Sequence, residues 1–272
     1  MIFLGHCPDS VGLVAKVTAF FAHRHINITN LEEHTERDRF FIRIESDEIC
    51  VLEGIASSFQ EIADTLQMEF LFHNPKHKTR IVLFCSKTLH CPLEILARQL
   101  SQSLAVEIVA VVSNAREFKS ISEQFNIPFF CIETTRENYE EEQIRILKDF
   151  SPDLVALGRY MKVLSPFFLA ECPVPIINIH HSFLPSFVGG RPYEMAYERG
   201  VKMVGATAHF VTENLDEGPI ITQGILPVGH TFSVEMMKHA GANVEKNVFA
   251  EAIQKFSERK IIEWKGRTVV FR

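Results

Sequence analysis

Between residues 81 and 179, short runs of consecutive apolar residues alternate with longer segments whose apolar residues recur at helical spacing. The runs IVLFCS at 81–86 and VEIVAVVS at 106–113 are apolar almost throughout, which is typical of strands buried on both faces. Such strands belong to parallel sheets that carry helices on both faces. The alternation therefore predicts a mostly parallel α/β domain.

The first 75 residues follow a different pattern. It predicts, in order, a strand, a helix, two strands, a helix and a strand, at 2–7, 11–24, 26–36, 39–46, 52–66 and 68–74. This βαββαβ order is that of a ferredoxin-like module. In its first helix Val11, Val14, Val17 and Phe21 fall near helical spacing, and the preceding PDS segment offers a turn and N-cap candidates.

The polar segment HNPKHKTR at 73–80 contains a proline and indicates a linker between two packed units. We therefore expect one domain at 1–75, a linker at 76–80 and a second domain at 81–272. Late in the second domain the pattern predicts two strands around a turn, a long helix and a terminal strand pair, at 204–212, 219–228, 233–260 and around Gly266.

Composition excludes several classes of protein. The chain has 272 residues, of which 46% are hydrophobic, so it is long enough for two globular domains. A net charge of -6 disfavours nucleic acid as a partner. No apolar run is long enough to span a membrane, and no leader segment is evident, so we expect a cytoplasmic protein. Six scattered cysteines predict reduced thiols rather than disulfides or a metal site.

Polar residues gather where the predicted strand PIINI ends, in the segment NIHHSFLPSFVGG. Asn178 and His180 are two residues apart, so an extended chain places both side chains on one face. Asp216 lies in a second polar segment, ENLDEGP, whose turn we expect to be exposed. An amide, an imidazole and a carboxylate can stabilise an oxyanion, move a proton and orient its carrier, which suggests acyl transfer. Taken singly, each residue could instead be a cap, a buried histidine or a turn residue.

These segments carry a family resemblance. The stretches NIHHSFLPSFVGGRPYEMAYERG and GATAHFVTENLDEGPIITQ resemble the signature region of the folate-dependent formyltransferases, which implies a Rossmann-like formyltransferase domain with Asn178, His180 and Asp216 as catalytic triad. The resemblance also assigns GRYMKVLSP to a pteridine pocket and implies a set of folate-binding residues: Met161, Lys162, Val163, Leu164 and Gly218. The segment CPDSVGLVAKVTAFFAHRHINI resembles the ACT regulatory module, which implies homo-oligomers and amino-acid effectors.

Within that family, HHSFLP and the C-terminal segments VEKNVFAEAI and GRTVVF resemble the hydrolytic members. This implies hydrolysis of 10-formyltetrahydrofolate to formate and tetrahydrofolate, without a separate cofactor, with the formate supplying purine biosynthesis. A non-catalytic folate or amino-acid sensor is the alternative from another class. It is disfavoured because all three triad residues are present.

Related transferases differ in the acceptor of the formyl group. Glycinamide ribonucleotide formyltransferase holds a phosphate with a glycine-rich turn after its first strand, and here CSKTLHC at 85–91 contains no glycine. Lys87 could still hold a phosphate as a point charge. A transfer RNA acceptor is disfavoured by the acidic net charge.

Two histidine and cysteine groups could suggest a metal. His181 follows His180, but adjacent residues of an extended chain point to opposite faces, so we expect a packing or supporting role for His181. In CSKTLHC the two cysteines lack a partner pair, which favours simple loop thiols. We expect no metal.

Overall fold

The computed structural model describes residues 1–47, 52–187 and 189–272. Cys50, one of the six thiols, and Val188, in the polar segment after PIINI, lie outside the described residues. The described residues form two compact units, the first comprising 1–77 with 258–262 and 269–272, and the second comprising 78–257 with 263–268.

The first unit is a four-stranded antiparallel sheet with two helices. Its elements are β1 (Ile2–Pro8), α1 (Leu13–His23), β2 (Ile28–Glu36), β3 (Arg39–Ser46), α2 (Leu52–Leu66) and β4 (Glu69–His73). The strand order is β2-β3-β1-β4, and each pair of neighbouring strands is antiparallel. The predicted βαββαβ module is therefore confirmed.

The core of this unit is rich in phenylalanine, with Phe3, Phe20 and Phe59 meeting edge to face. Val17 and Phe21 of the predicted helical pattern are buried in α1, whereas Val11 is 98% exposed and Val14 is 37% exposed. The cause is the start of the helix, which follows Gly12 in the left-handed region at φ 87. Val11 therefore precedes the helix, and the PDS segment does not cap it.

The second unit contains a seven-stranded sheet. Its elements are β5 (Thr79–Cys85), α3 (His90–Leu100), β6 (Val106–Ser113), α4 (Lys119–Gln124), β7 (Phe129–Cys131), α5 (Tyr139–Phe150), β8 (Leu154–Gly158), α6 (Pro166–Glu171), β9 (Ile176–His180), α7 (Pro192–Arg199), β10 (Met203–Phe210), β11 (Ile220–Pro227) and α8 (Val234–Ser257). In the order β11-β10-β9-β8-β5-β6-β7, the five strands from β9 to β7 are parallel, and β10 and β11 are antiparallel. The mostly parallel α/β prediction is confirmed.

Two features of the chain differ from the sequence-based expectation. Helix α7 was not predicted, although Pro192 opens it and Gly200 closes it in the left-handed conformation. The strands β12 (Ile261–Trp264) and β13 (Arg267–Val270) form the expected terminal pair, but residues 258–262 and 269–272 group with the first unit. There the buried Arg43 donates hydrogen bonds to the carbonyl oxygens of Glu258 and Arg259.

Within the part of the chain that the structure describes, no helix combines the length and the apolar character that crossing a bilayer requires.

Candidate active site

The parallel strands of the second unit bring polar side chains to the carboxyl edge of the sheet. Asn178 and His180 lie in the last three residues of β9. The side chain of Ile179, between them, is buried in the core. This is the arrangement that their spacing predicts.

The loop after His180 is anchored by a buried threonine. Thr207 of β10 lies opposite His180 in the antiparallel register. Its hydroxyl donates to the carbonyl oxygen of Ser182 at 2.8 Å and accepts from the Leu184 amide at 3.0 Å. The Thr207 hydroxyl thus satisfies buried backbone groups just beyond the strand and fixes where the loop leaves the sheet.

Asp216 comes to this edge from the turn after β10. Its carboxylate oxygen Oδ2 lies 3.2 Å from Nδ1 of His180, and both side chains are less than 10% exposed, at 8% and 7%. The expected exposure of the Asp216 turn is therefore wrong for the carboxylate itself. Asp216 adopts the left-handed conformation at φ 58, and Gly218 lies so close to Phe210 that a Cβ there would clash with the Phe210 carbonyl oxygen.

His209 is a fourth polar residue of the site, and it was not predicted from the sequence. It lies opposite Asn178 in the antiparallel register of β10 and β9, and it is 2% exposed. Its Nδ1 lies 2.8 Å from the Phe210 carbonyl oxygen, to which it must donate, so Nε2 of the neutral ring accepts from Asn178 Nδ2 at 3.2 Å. His209 thereby fixes the orientation of the Asn178 amide.

Burial and charge set the ionisation of these groups. Burial lowers the pKa of His209, against the raising effects of its bond to Phe210 and of the Asp216 charge. Burial raises the pKa of Asp216, but the hydrogen bond and charge of His180 outweigh it, so the net shift is downward. At neutral pH the site therefore combines a neutral His209 with an ionised Asp216.

A cavity of about 260 Å³ opens beside these residues. Asn178, His180 and Asp216 line it, together with the predicted folate residues Met161, Lys162, Val163 and Leu164. The Met161 amide donates to Ser86 Oγ at 3.1 Å, and Ser165 caps α6 ahead of Pro166. Gly218 is not among the described lining residues, so its contact with folate stays a prediction.

His181 also lines this cavity. The prediction that it faces away from His180 is wrong because β9 ends at His180, and the strand alternation does not extend further. The rings of His180 and His181 have centroids 5.2 Å apart. Burial, followed by the charge of Arg159, lowers the pKa of His181 to about 4, so its ring is neutral at physiological pH.

A second buried polar cluster surrounds Glu245 of α8. Oε2 of Glu245 lies 2.8 Å from His90 Nε2, and Oε1 accepts from the Tyr193 hydroxyl at 2.7 Å. Arg159 Nε is 3.5 Å from Oε2. Burial raises the pKa of Glu245, but the His90 bond, the Arg159 charge and the Tyr193 bond lower it overall, to about 2.

The residues of CSKTLHC are not loop thiols. Cys85 ends strand β5 and Cys91 lies in the first turn of α3, and both are buried and free. His90, Cys91 and Glu245 place three metal-ligating atoms within 4.8 Å of one another. The Arg159 guanidinium beside the Glu245 carboxylate opposes a divalent cation there, since like charges repel at this distance.

Comparison with known proteins places the chain in a family. Residues 79–253 match the family model described as Formyl transferase, and residues 1–66 match the ACT domain. A formyltetrahydrofolate deformylase of Escherichia coli is 40% identical over 97% of this chain and 95% of its own length.

Solved structures agree with this placement. A formyltetrahydrofolate deformylase of Pseudomonas syringae pv. tomato superposes with a TM-score of 0.96 at 38% identity, covering 100% of this chain and 94% of the other. A glycinamide ribonucleotide transformylase of Symbiobacterium toebii, 28% identical, gives a TM-score of 0.68 and covers 72% of this chain and 95% of its own. The match over the whole chain, ACT domain included, shows that the chain belongs to the formyltetrahydrofolate deformylase family.

Proposed function

We propose that Asn178, His180 and Asp216 together catalyse the hydrolysis of 10-formyltetrahydrofolate to formate and tetrahydrofolate, which supplies formate for purine biosynthesis. The observation that carries this proposal is the contact between His180 Nδ1 and Asp216 Oδ2 at 3.2 Å beside the cavity. A buried carboxylate that contacts one imidazole nitrogen orients the ring and fixes which nitrogen faces the substrate.

The other nitrogen of His180 is available for chemistry. Nε2 is buried and has no hydrogen-bond partner among the described residues. In its protonated state it can donate to the oxyanion that forms when water adds to the formyl carbon, and Asn178 supplies a second donor. Asp216 holds the imidazole and the attacking water and helps to pass a proton to the leaving nitrogen of the folate.

The cavity walls suit a folate ring. Met161, Val163 and Leu164 supply apolar surface, and Val163 is 65% exposed although it is a large apolar residue. Exposed apolar side chains beside a few convergent polar groups are typical of a small-molecule site. Folate is the substrate, and we propose that neither a metal nor a separate cofactor takes part.

Water is proposed as the acceptor, so formate should appear at the same rate with or without glycinamide ribonucleotide. An amine outcompetes water when its phosphate is held by fixed donors, and the glycine-free segment after β5 lacks the usual cradle. Parallel measurement of formate and of formylated nucleotide checks this. A reaction yielding mainly formylated nucleotide would make the protein a transformylase, and the exposed Lys87 would then be the phosphate contact to remove.

The ACT domain is proposed to join copies of the chain and to bind a regulatory amino acid. None of the proposed catalytic residues comes from the first unit, which leaves it free for such a role. We expect light scattering of the full chain to give a homo-oligomer, and initial rates to change when glycine or methionine is titrated. A monomer whose rates ignore both amino acids would contradict this proposal.

A further inference from the structure

Arg159 occupies a strained position beside the proposed active site. It is the residue directly after β8, and its φ of 63 lies in the left-handed region that non-glycine residues rarely adopt. Conformations of this kind persist where surrounding contacts enforce them, and they concentrate at functional sites. The side chain is 15% exposed and lines the same cavity as His180 and His181.

The guanidinium of Arg159 has donors to spare. Its neighbour Glu245 already contacts His90 through Oε2 and the Tyr193 hydroxyl through Oε1. Nη1 of Arg159 is buried and has no hydrogen-bond partner among the described residues, and Nε has only its ion-pair contact with Glu245 Oε2, at 3.5 Å. A guanidinium carries five N–H donors, and leaving buried ones unsatisfied is costly. The site is therefore prepared for an additional acceptor.

The neighbouring groups favour an anion as that acceptor. His181 next to Arg159 has its pKa lowered to about 4, so its ring is uncharged at neutral pH, and the positive charges among the described lining residues are those of Arg159 and Lys162. The charged groups that line the cavity besides Arg159 are Lys162, Glu213 and Asp216. Asp216 and Glu213 by themselves would repel an anion, and the positive charges of Arg159 and Lys162 along the same cavity offset that repulsion.

The hydrolysis creates such an anion within the cavity. A water oxygen bonds to the formyl carbon, the bond from that carbon to the folate nitrogen breaks, and the nitrogen takes up a proton. The formic acid left behind loses its proton and becomes formate. A neutral formamide is thereby converted into a carboxylate, the group that a guanidinium binds through paired hydrogen bonds.

We propose that Arg159 forms a carboxylate subsite that binds the formate product. This inference rests on the hydrolysis described above, and it adds a product-binding residue to the three catalytic ones. Because only 15% of the Arg159 side chain is exposed, a ligand that reaches it must be small, and formate meets that requirement. The bulky glutamate tail of folate is expected at the exposed mouth of the cavity.

Calorimetric titration of sodium formate into the full chain, without folate and at constant ionic strength, tests the subsite directly. We expect saturable binding, and binding about tenfold weaker or more in Arg159→Met, which removes the charge and the donors. Arg159→Lys keeps the charge but loses the planar fork, so intermediate binding is expected. The matched control is Arg191→Met, which removes an exposed arginine just beyond Gly190 that does not line the cavity and should leave formate binding unchanged.

Because no turnover is needed, this measurement is independent of the proposed catalytic roles. Absence of formate binding by the wild-type chain, or equal binding by wild type and both Arg159 variants, overturns the proposal. If circular dichroism shows that Arg159→Met is unfolded, the lysine variant decides. A raised KM for the folate in Arg159→Lys, with formate binding unaltered, would assign the arginine to a folate carboxylate instead and also overturn it.

Discussion

Replacing Asp216 by Asn should yield a folded protein that hydrolyses 10-formyltetrahydrofolate on the order of a thousandfold more slowly. The carboxylate contacts His180 Nδ1 at 3.2 Å and is nearly buried, so its charge acts on the imidazole with little screening by solvent. An amide of the same shape carries no charge to stabilise positive charge that develops on the imidazole in the reaction, and it cannot accept a proton. The turn should survive, because asparagine tolerates the left-handed backbone that Asp216 adopts.

Formate release at saturating folate measures this effect, with circular dichroism to confirm the fold. The neighbouring Glu217 offers a matched control, because it lies in the same turn, is exposed and does not line the cavity. Glu217→Gln also removes one negative charge and should keep the rate within about twofold, since exposed charges are well screened. An Asp216→Asn variant that is folded and retains rates within a few-fold of wild type would exclude Asp216 from the chemistry.

Much of the fold follows from local patterns in the sequence. The phenylalanine-rich βαββαβ unit and the parallel strands were predictable because strand and helix periods alternate cleanly along the chain. The spacing of Asn178 and His180 predicted their shared face, since that relation depends on one strand alone. Helix α7 was not predicted, although Pro192 at its start and Gly200 at its end are typical helix-boundary residues.

The parts of the site that were missed depend on contacts between distant segments. His209 lies within the apolar-looking run GATAHFV, and its role emerges only from the register that sets it opposite Asn178. Glu245 lies in a long helix rich in charged residues, so the sequence pattern predicts that its side chain is exposed to solvent. Its partners come from α3, the end of β8 and α7, a convergence that no local pattern records.

Replacing Asn178 by Ala should lower kcat about a hundredfold or more while KM changes only a few-fold. A donor aimed at the developing oxyanion acts mainly in the transition state, and removing one such donor costs on the order of 3 kcal/mol. The structure supports this aim, because the Asn178 amide nitrogen is held by His209 Nε2 at 3.2 Å, and its second N–H can then donate to the formyl oxygen.

Steady-state kinetics of Asn178→Ala beside two further variants separates the possible roles of the amide. Asn214→Ala removes an exposed amide that also lines the cavity, and any effect of this control should fall on KM. His209→Gln removes the ring whose Nδ1 is committed to the Phe210 carbonyl, so it should lower kcat by less than Asn178→Ala does, through loss of orientation alone. A rise in KM at unchanged kcat in Asn178→Ala would instead mean that the amide positions the substrate equally in the ground and transition states, and the oxyanion would then depend on His180.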